Sequence, residues 1–166
     1  MTDVQVTLAD LNDPVQQAAV VELLDMYARD EFGSGQPLAA EARNALVPGL
    51  VRHGARVYLA SRGEQPLGLA ICFAGFSTFR ARPLLNIHDL AVRPEARGLG
   101  IGRLLLARIE ADARELGYCR VTLEVRADNA RAQGLYRRMG FRPSEPETWF
   151  WTRPLDGSPS TAAPQP

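Results

Sequence analysis

Leu84 to Leu116 reads Leu-Leu-Asn-Ile-His-Asp-Leu-Ala-Val, then Arg-Pro-Glu-Ala, then Arg97-Gly98-Leu99-Gly100-Ile101-Gly102, then Arg-Leu-Leu-Leu-Ala-Arg-Ile-Glu-Ala-Asp-Ala-Arg-Glu-Leu. The first part, Leu84–Val92, is rich in apolar and β-branched residues over about the length of one strand, and Pro94 ends it because proline has no N–H for a ladder. The last part spaces Leu105, Ile109, Ala113 and Leu116 four or three apart, which gives a helix one apolar face. Gly117 follows, where a left-handed C′ residue is favoured. Between strand and helix stand Gly98, Gly100 and Gly102, an entropic cost unless the backbone itself must approach something. The first amides of a helix lack intrahelical partners and its dipole favours negative charge, so phosphate is the natural guest. Arg97 and Arg103 flank the loop and could add charge-assisted hydrogen bonds.

Spacing bounds which anion the turn holds. A Walker loop ends in Gly-Lys-Ser/Thr, and here Gly102 is followed by Arg103 and Leu104. A dinucleotide fingerprint needs another glycine at the position that Arg103 occupies. Glu124, at the end of the next expected strand, stands about where a ribose-binding acid would, which keeps a dinucleotide-dependent oxidoreductase open. Against it, the glycines lie mid-chain and too few residues follow for a doubly wound sheet. A plain flexible turn also stays open.

Arg97-Gly98-Leu99-Gly100-Ile101-Gly102 resembles the Arg/Gln-x-x-Gly-x-Gly/Ala signature of the GCN5-related N-acetyltransferase (GNAT) superfamily. Asp128-Asn129-Ala130-Arg131-Ala132-Gln133-Gly134-Leu135-Tyr136-Arg137-Arg138-Met139-Gly140-Phe141 resembles that superfamily's Asn…Ala…Leu-Tyr…Gly-Phe helix, in the right order and separation. The resemblance covers roughly Val4 to Leu155 and is weakest in the first half. It implies an α/β (α+β) GNAT fold: a mixed central sheet of six to seven strands, splayed between the fourth and fifth, with helices on both faces. It further implies acetyl-CoA as cosubstrate, lying in that splay with its pyrophosphate on Arg97 to Arg103. The pantetheine amides would pair with the strand edge at Leu90, Ala91 and Val92, and Asn129, Ala132 and Tyr136 would complete the coenzyme site. Such an arm would satisfy the backbone groups that an opened sheet leaves unpaired.

Composition sets the frame. One domain over residues 1–155 is expected in this 166-residue chain, followed by a disordered tail from Asp156, where Pro, Ser, Ala and Gly lack apolar periodicity. Nineteen basic and nineteen acidic residues balance, so neither a nucleic-acid nor a membrane partner is expected. Cys72 and Cys119 have no metal-ligand spacing and read as reduced thiols; no metal is expected. The polar start and the short apolar runs give no reason to expect a signal peptide or membrane span, and a cytoplasmic location follows as the expectation. Outward from the central stretch, strands are expected at Val4–Leu8, Arg56–Arg62, Leu67–Thr78, Arg120–Val125 and Thr148–Thr152. Helices are expected from Asp13-Pro14, with Val20, Leu23, Leu24 and Tyr27 as stripe, from Leu38 to Leu46, and over Asn129–Met139.

Acetyl transfer to an amine has three needs. A free alkyl amine has a pKa of about 10.4, so a base must take its proton, while an oxyanion and a leaving thiolate must be stabilised. The resemblance puts Tyr136 near the sulfur as acid; packing with Leu135 and Met139 is its bland reading. His88 and Asp89 are adjacent in the strand, so alternation sends them to opposite faces, His88 sharing its face with Asn86 and Leu90. An imidazole, with reference pKa about 6.5, is suited to accept the proton; Asp89 would act through its charge or hold the strand. A backbone N–H near Leu90 is the oxyanion donor by resemblance alone.

The acceptor implied is a primary amine of a small molecule or peptide. Phe76-Ser-Thr-Phe79, Leu84 and His88-Asp89-Leu90 resemble the diamine and polyamine acetyltransferase branch, but that branch has Glu-Asp where this chain has His88-Asp89. Asp25, Asp30, Glu31, Glu145 and Glu147 could attract a cation, with solvated surface charge as their plainer reading. A homodimer is a family-level expectation, with the Trp149 and Trp151 strand as contributor. A non-catalytic acyl-CoA- or nucleotide-binding module is the remaining alternative.

Overall fold

Apolar alternation pairs the strands in chain order. The elements are β1 (Gln5–Leu8), α1 (Pro14–Ala28), α2 (Ala40–Arg52), β2 (Arg56–Arg62), β3 (Gln65–Ser77), β4 (Arg82–Val92), α3 (Ile101–Glu115), β5 (Val121–Leu123) and α4 (Ala130–Arg138). The computed structural model describes residues 3–155, so the tail expected from Asp156 lies outside the described residues. Strands β1 to β4 form an antiparallel meander, and β5 joins β4 in parallel across the helical crossover α3. One parallel pair in an antiparallel sheet is not the doubly wound sheet of a dinucleotide fold, which removes the oxidoreductase reading.

Among the described residues the sheet has five strands, against the six to seven expected. Thr148–Thr152 is irregular; Trp149 and Trp151 stack 6.4 Å apart in solvent, and the prolines at 143, 146 and 154 withhold donors around them. The second helix instead runs past its expected end, through Pro48 to Arg52, because burying Val47 and Leu50 offsets a broken turn.

Helices α1 and α2 cover one face, where Val20, Leu23 and Leu50 pack on Val57, Leu59, Leu69 and Ile71. Asp13 caps α1 by accepting from the Val15 amide at 2.9 Å. Helix α3 covers the other face, with Leu105 and Ile109 buried against Tyr58, Cys72, Leu85 and Ile87, and Leu135 and Met139 of α4 at the margin. Burial of each such side chain is worth roughly 1.5–3 kcal/mol. The stripe stops at Ala113: Leu116 is the C-cap, half in solvent, and Gly117 behind it has φ +74°.

One irregularity in β4 positions the site. Ile71 pairs with Asp89 but Cys72 pairs with Ile87, so His88 is the extra residue of a β-bulge. The pleat slips by one there: Leu85 and Ile87 face α3 before it, Leu90 and Val92 after it. His88 and Asp89 therefore do not point to opposite faces, and His88 does not share a face with Leu90. Both lie on the α1 side, His88 edge-on to Phe73 at 5.7 Å and Asp89 opposite Ile71. Pairing between β4 and β5 ends at Ile87–Leu123, braced by Asn86 Nδ2 donating to Thr122 Oγ1 at 3.1 Å. Beyond the bulge the two strands separate.

Candidate active site

Their separation opens a cleft of about 930 Å³, within the range of small-molecule sites. It runs from the N-terminus of α3 on one face of the sheet to the end of α1 on the other.

Gly98 and Gly100 line the first end in the left-handed region, with φ of +83° and +82° and nothing within 4 Å of where a Cβ would stand. They supply the turn and an open approach to its backbone. Gly102 is different: it also lines the cleft but is not left-handed, and its Cβ would meet Leu135 Cδ2 at 2.8 Å, so its bare Cα lets α4 pack close. No side chain caps α3, whose first-turn amides and dipole are therefore available to an anion, beside Ile101 and an Arg103 without an ion-pair partner among the described residues. Leu99 is 58% exposed and lies outside the cleft wall.

Arg97 lines the cleft and is engaged within the protein. Its Nη2 lies 2.6 Å from Asp30 Oδ2 and its Nε donates to the Val92 carbonyl at 3.2 Å. The hydrogen bond from Arg97, then that from the Phe32 amide, holds the Asp30 carboxyl below its usual range. Leu90, Ala91 and Val92, the strand edge expected for pantetheine, all line the cleft, and the Val92 carbonyl is the one already accepting from Arg97. Asn129 and Ala132 form the opposite lip, where Asn129 Oδ1 caps α4 by accepting from the Ala132 amide at 3.0 Å.

Farther in, Tyr136 lines the cleft with its ring edge-on to Phe141 at 5.9 Å and its hydroxyl without a hydrogen bond among the described residues. Burial, with a smaller contribution from Tyr27, pushes its pKa up to about 12, so it keeps its proton at neutral pH. His88 is exposed on the cleft wall. Asp89 stands behind it and does not line the cleft; burial raises its pKa, against the pull of His88.

Sequence reasoning missed Tyr27 and Phe32, and Arg126 beyond β5, which also line the cleft. Tyr27 has helical spacing with a core stripe, and only the fold turns its last helical turn toward β4. Asp25, considered above as an attractor of cations, is instead an internal bracket: it is 8% exposed and accepts from Arg29 Nε and the Leu38 amide, each at 2.9 Å. Among the described residues no group of three or more His, Cys, Asp or Glu could hold a metal, and no helix is long and apolar enough to cross a membrane.

Comparison with known proteins agrees with this geometry. A thialysine N-epsilon-acetyltransferase of Caenorhabditis elegans is 30% identical over 102 residues, spanning 61% of this chain and 62% of that protein. A streptothricin acetyltransferase of Streptomyces lavendulae is 45% identical over 69 residues, 42% of this chain and 36% of the other. The chain thus spans less than two thirds of these relatives. Among solved structures, a probable acetyltransferase superposes with TM-score 0.78 at 24% identity, covering 93% of this chain and 99% of that one. An integron cassette protein from the mobile metagenome of V. cholerae also gives 0.78, at 20% identity over 93% and 94%. The model of the acetyltransferase (GNAT) family matches residues 20–141, taking in the bulge, the glycine turn and the α4 helix, and the chain belongs to that family.

Proposed function

We propose that this protein is an acetyl-CoA-dependent N-acetyltransferase that moves acetyl to a primary amine of a small molecule or peptide, directly, in a ternary complex. The observation that carries this reading is the continuity of one cleft, from an uncapped helix N-terminus behind Gly98 and Gly100 to Tyr136 and His88. The hollow fits a diphosphate: its amides are free and its glycine hydrogens leave the backbone bare. Arg103 adds charge, and the edge at Leu90 and Ala91 pairs the pantetheine amides. The thioester then lies at the bulge, with an amide near Leu90 facing its carbonyl oxygen.

The amine enters from the α1 side. His88 takes its proton, directly or through water, and Asp89 supports the resulting imidazolium from behind. The N–C bond forms first, moving the carbonyl electron pair onto the oxygen that the amide near Leu90 faces; as that oxyanion collapses the C–S bond breaks, and Tyr136 gives its proton to the departing sulfur. A phenol this basic is a reluctant acid, so proton and sulfur must move together.

The test incubates acetyl-CoA with thialysine, 1,4-diaminobutane or an alanine-first peptide, reading thiol release and acetylated product. Product with at least one amine is expected. Coenzyme binding without release in any of them would leave only an acyl-CoA-binding module.

A further inference from the structure

Two arginines on opposite lips of the cleft reach for the same short segment. Arg97, beyond β4, holds Asp30 through Nη2 at 2.6 Å. Arg126, beyond β5, donates from Nη1 to the Glu31 carbonyl at 3.2 Å and sets its guanidinium 5.7 Å from the centre of the Phe32 ring. Asp128 steadies Arg126 with two bonds, of 2.9 and 2.7 Å. Asp30 also folds the segment on itself, Oδ1 accepting from the Phe32 amide at 3.0 Å. Residues 30–32 are thereby tied to both edges of the splay just past the end of α1.

We propose that Arg97 and Arg126 are positioning residues that latch Asp30–Phe32 across the splay as a wall of the acceptor end, and that the Arg97 side chain is not a coenzyme ligand. This rests on the amine-acetylating reading above. The Arg97–Asp30 pair is only 30% and 15% exposed, so solvent screens it less than a surface pair. Turning Arg97 onto a phosphate would leave Asp30 in that setting without its cation, and would release the Val92 carbonyl too. The latch also fixes the aromatic lining, since the Tyr27 hydroxyl lies 3.5 Å from the Phe32 carbonyl oxygen.

The two roles for Arg97 predict opposite signs in one variant. With a latch, Asp30→Asn leaves the calorimetric Kd for coenzyme A within about twofold and raises the acceptor KM roughly tenfold, measured with the fastest amine of the panel. Arg97→Gln and Arg126→Gln do the same, Asp30→Glu restores most of the loss, and the Asp30→Asn/Arg97→Gln double variant is no worse than either single one. If Asp30 merely restrains a phosphate-binding arginine, Asp30→Asn tightens coenzyme A and Arg97→Gln weakens it with a shallower salt dependence, which overturns the proposal. A lowered melting temperature with an unchanged acceptor KM in an active enzyme overturns the latch alone. A wild-type protein inert toward every amine overturns it together with the reaction.

Discussion

A methyl group on Gly102 would stand 2.8 Å from Leu135 Cδ2, so the first turn of α3 lies directly against α4. The helix that follows the glycine turn thus touches the helix that carries Tyr136, one residue beyond Leu135. The turn proposed to hold the coenzyme and the tyrosine proposed as proton donor are thus joined by one packing contact.

That contact separates two glycines that look equivalent in sequence. Gly100→Ala forces φ near +82° on a side chain, costing about 1–2 kcal/mol and lowering the melting temperature by roughly 2–8 °C. Gly102→Ala meets only the tip of a flexible leucine and gains up to about 1 kcal/mol of helix propensity, so its stability should stay within about 1 kcal/mol of wild type. Its kcat should fall instead, because Leu135 must move beside Tyr136. Thermal melts with steady-state kinetics on both variants decide this, and a Gly102→Ala enzyme of unchanged kcat would mean that α4 absorbs the methyl freely.

Asp89 should destabilise the native protein at neutral pH. Burial raises its pKa above the ordinary 3.8, so the folded state binds more protons than the unfolded one as pH climbs from there to the raised value. Stability falls across that window and stays lower above it. Its carboxylate accepts no hydrogen bond among the described residues, so Asp89→Asn loses little. The variant should resist urea better than wild type at pH 7, with the gap closing below about pH 4. A variant that is weaker at pH 7 would show that the charge is compensated. Activity should drop nonetheless, with His88 left unsupported.

Much of this arrangement was legible before the structure. Strand, glycine turn and amphipathic helix follow one another from Leu84 to Leu116 by local rules, and the structure keeps all three. His88 shows where local rules stop. Period-two alternation cannot contain a bulge, because the extra residue is defined only by its partner strand, through Ile71 and Cys72. The Arg97–Asp30 pair was illegible for a related reason: the two residues are 67 apart, and only the folded chain brings them together. Thr148–Thr152 has strand composition but no ladder partner among the described residues, and composition cannot supply one.

The two thiols should differ sharply. Cys72 has no exposed surface, and burial pushes its pKa up to about 12, whereas Cys119 is partly exposed. A thiol reagent at pH 8 should modify Cys119 promptly and Cys72 only as fast as the sheet opens. Rapid labelling of both without denaturant would mean that β3 breathes far more than its packing implies.

Removing the phenolic oxygen of Tyr136 tests the acid most directly. Its ring is held by Phe141 and by packing beside Leu135 and Met139, and the hydroxyl makes no hydrogen bond among the described residues, so Tyr136→Phe should fold and melt close to wild type. Coenzyme A affinity should change by no more than a few-fold, because the diphosphate hollow is unaltered. Turnover should fall about 100-fold, the low end for one proton-transfer group. Because the pKa sits near 12, no decline in rate below about pH 11 should come from Tyr136 ionising. If the variant keeps full kcat, the sulfur leaves as a thiolate and the tyrosine is only packing. A smaller loss with acetyl donors of more acidic thiols would confirm that its proton goes to sulfur, since a better leaving group depends on it less.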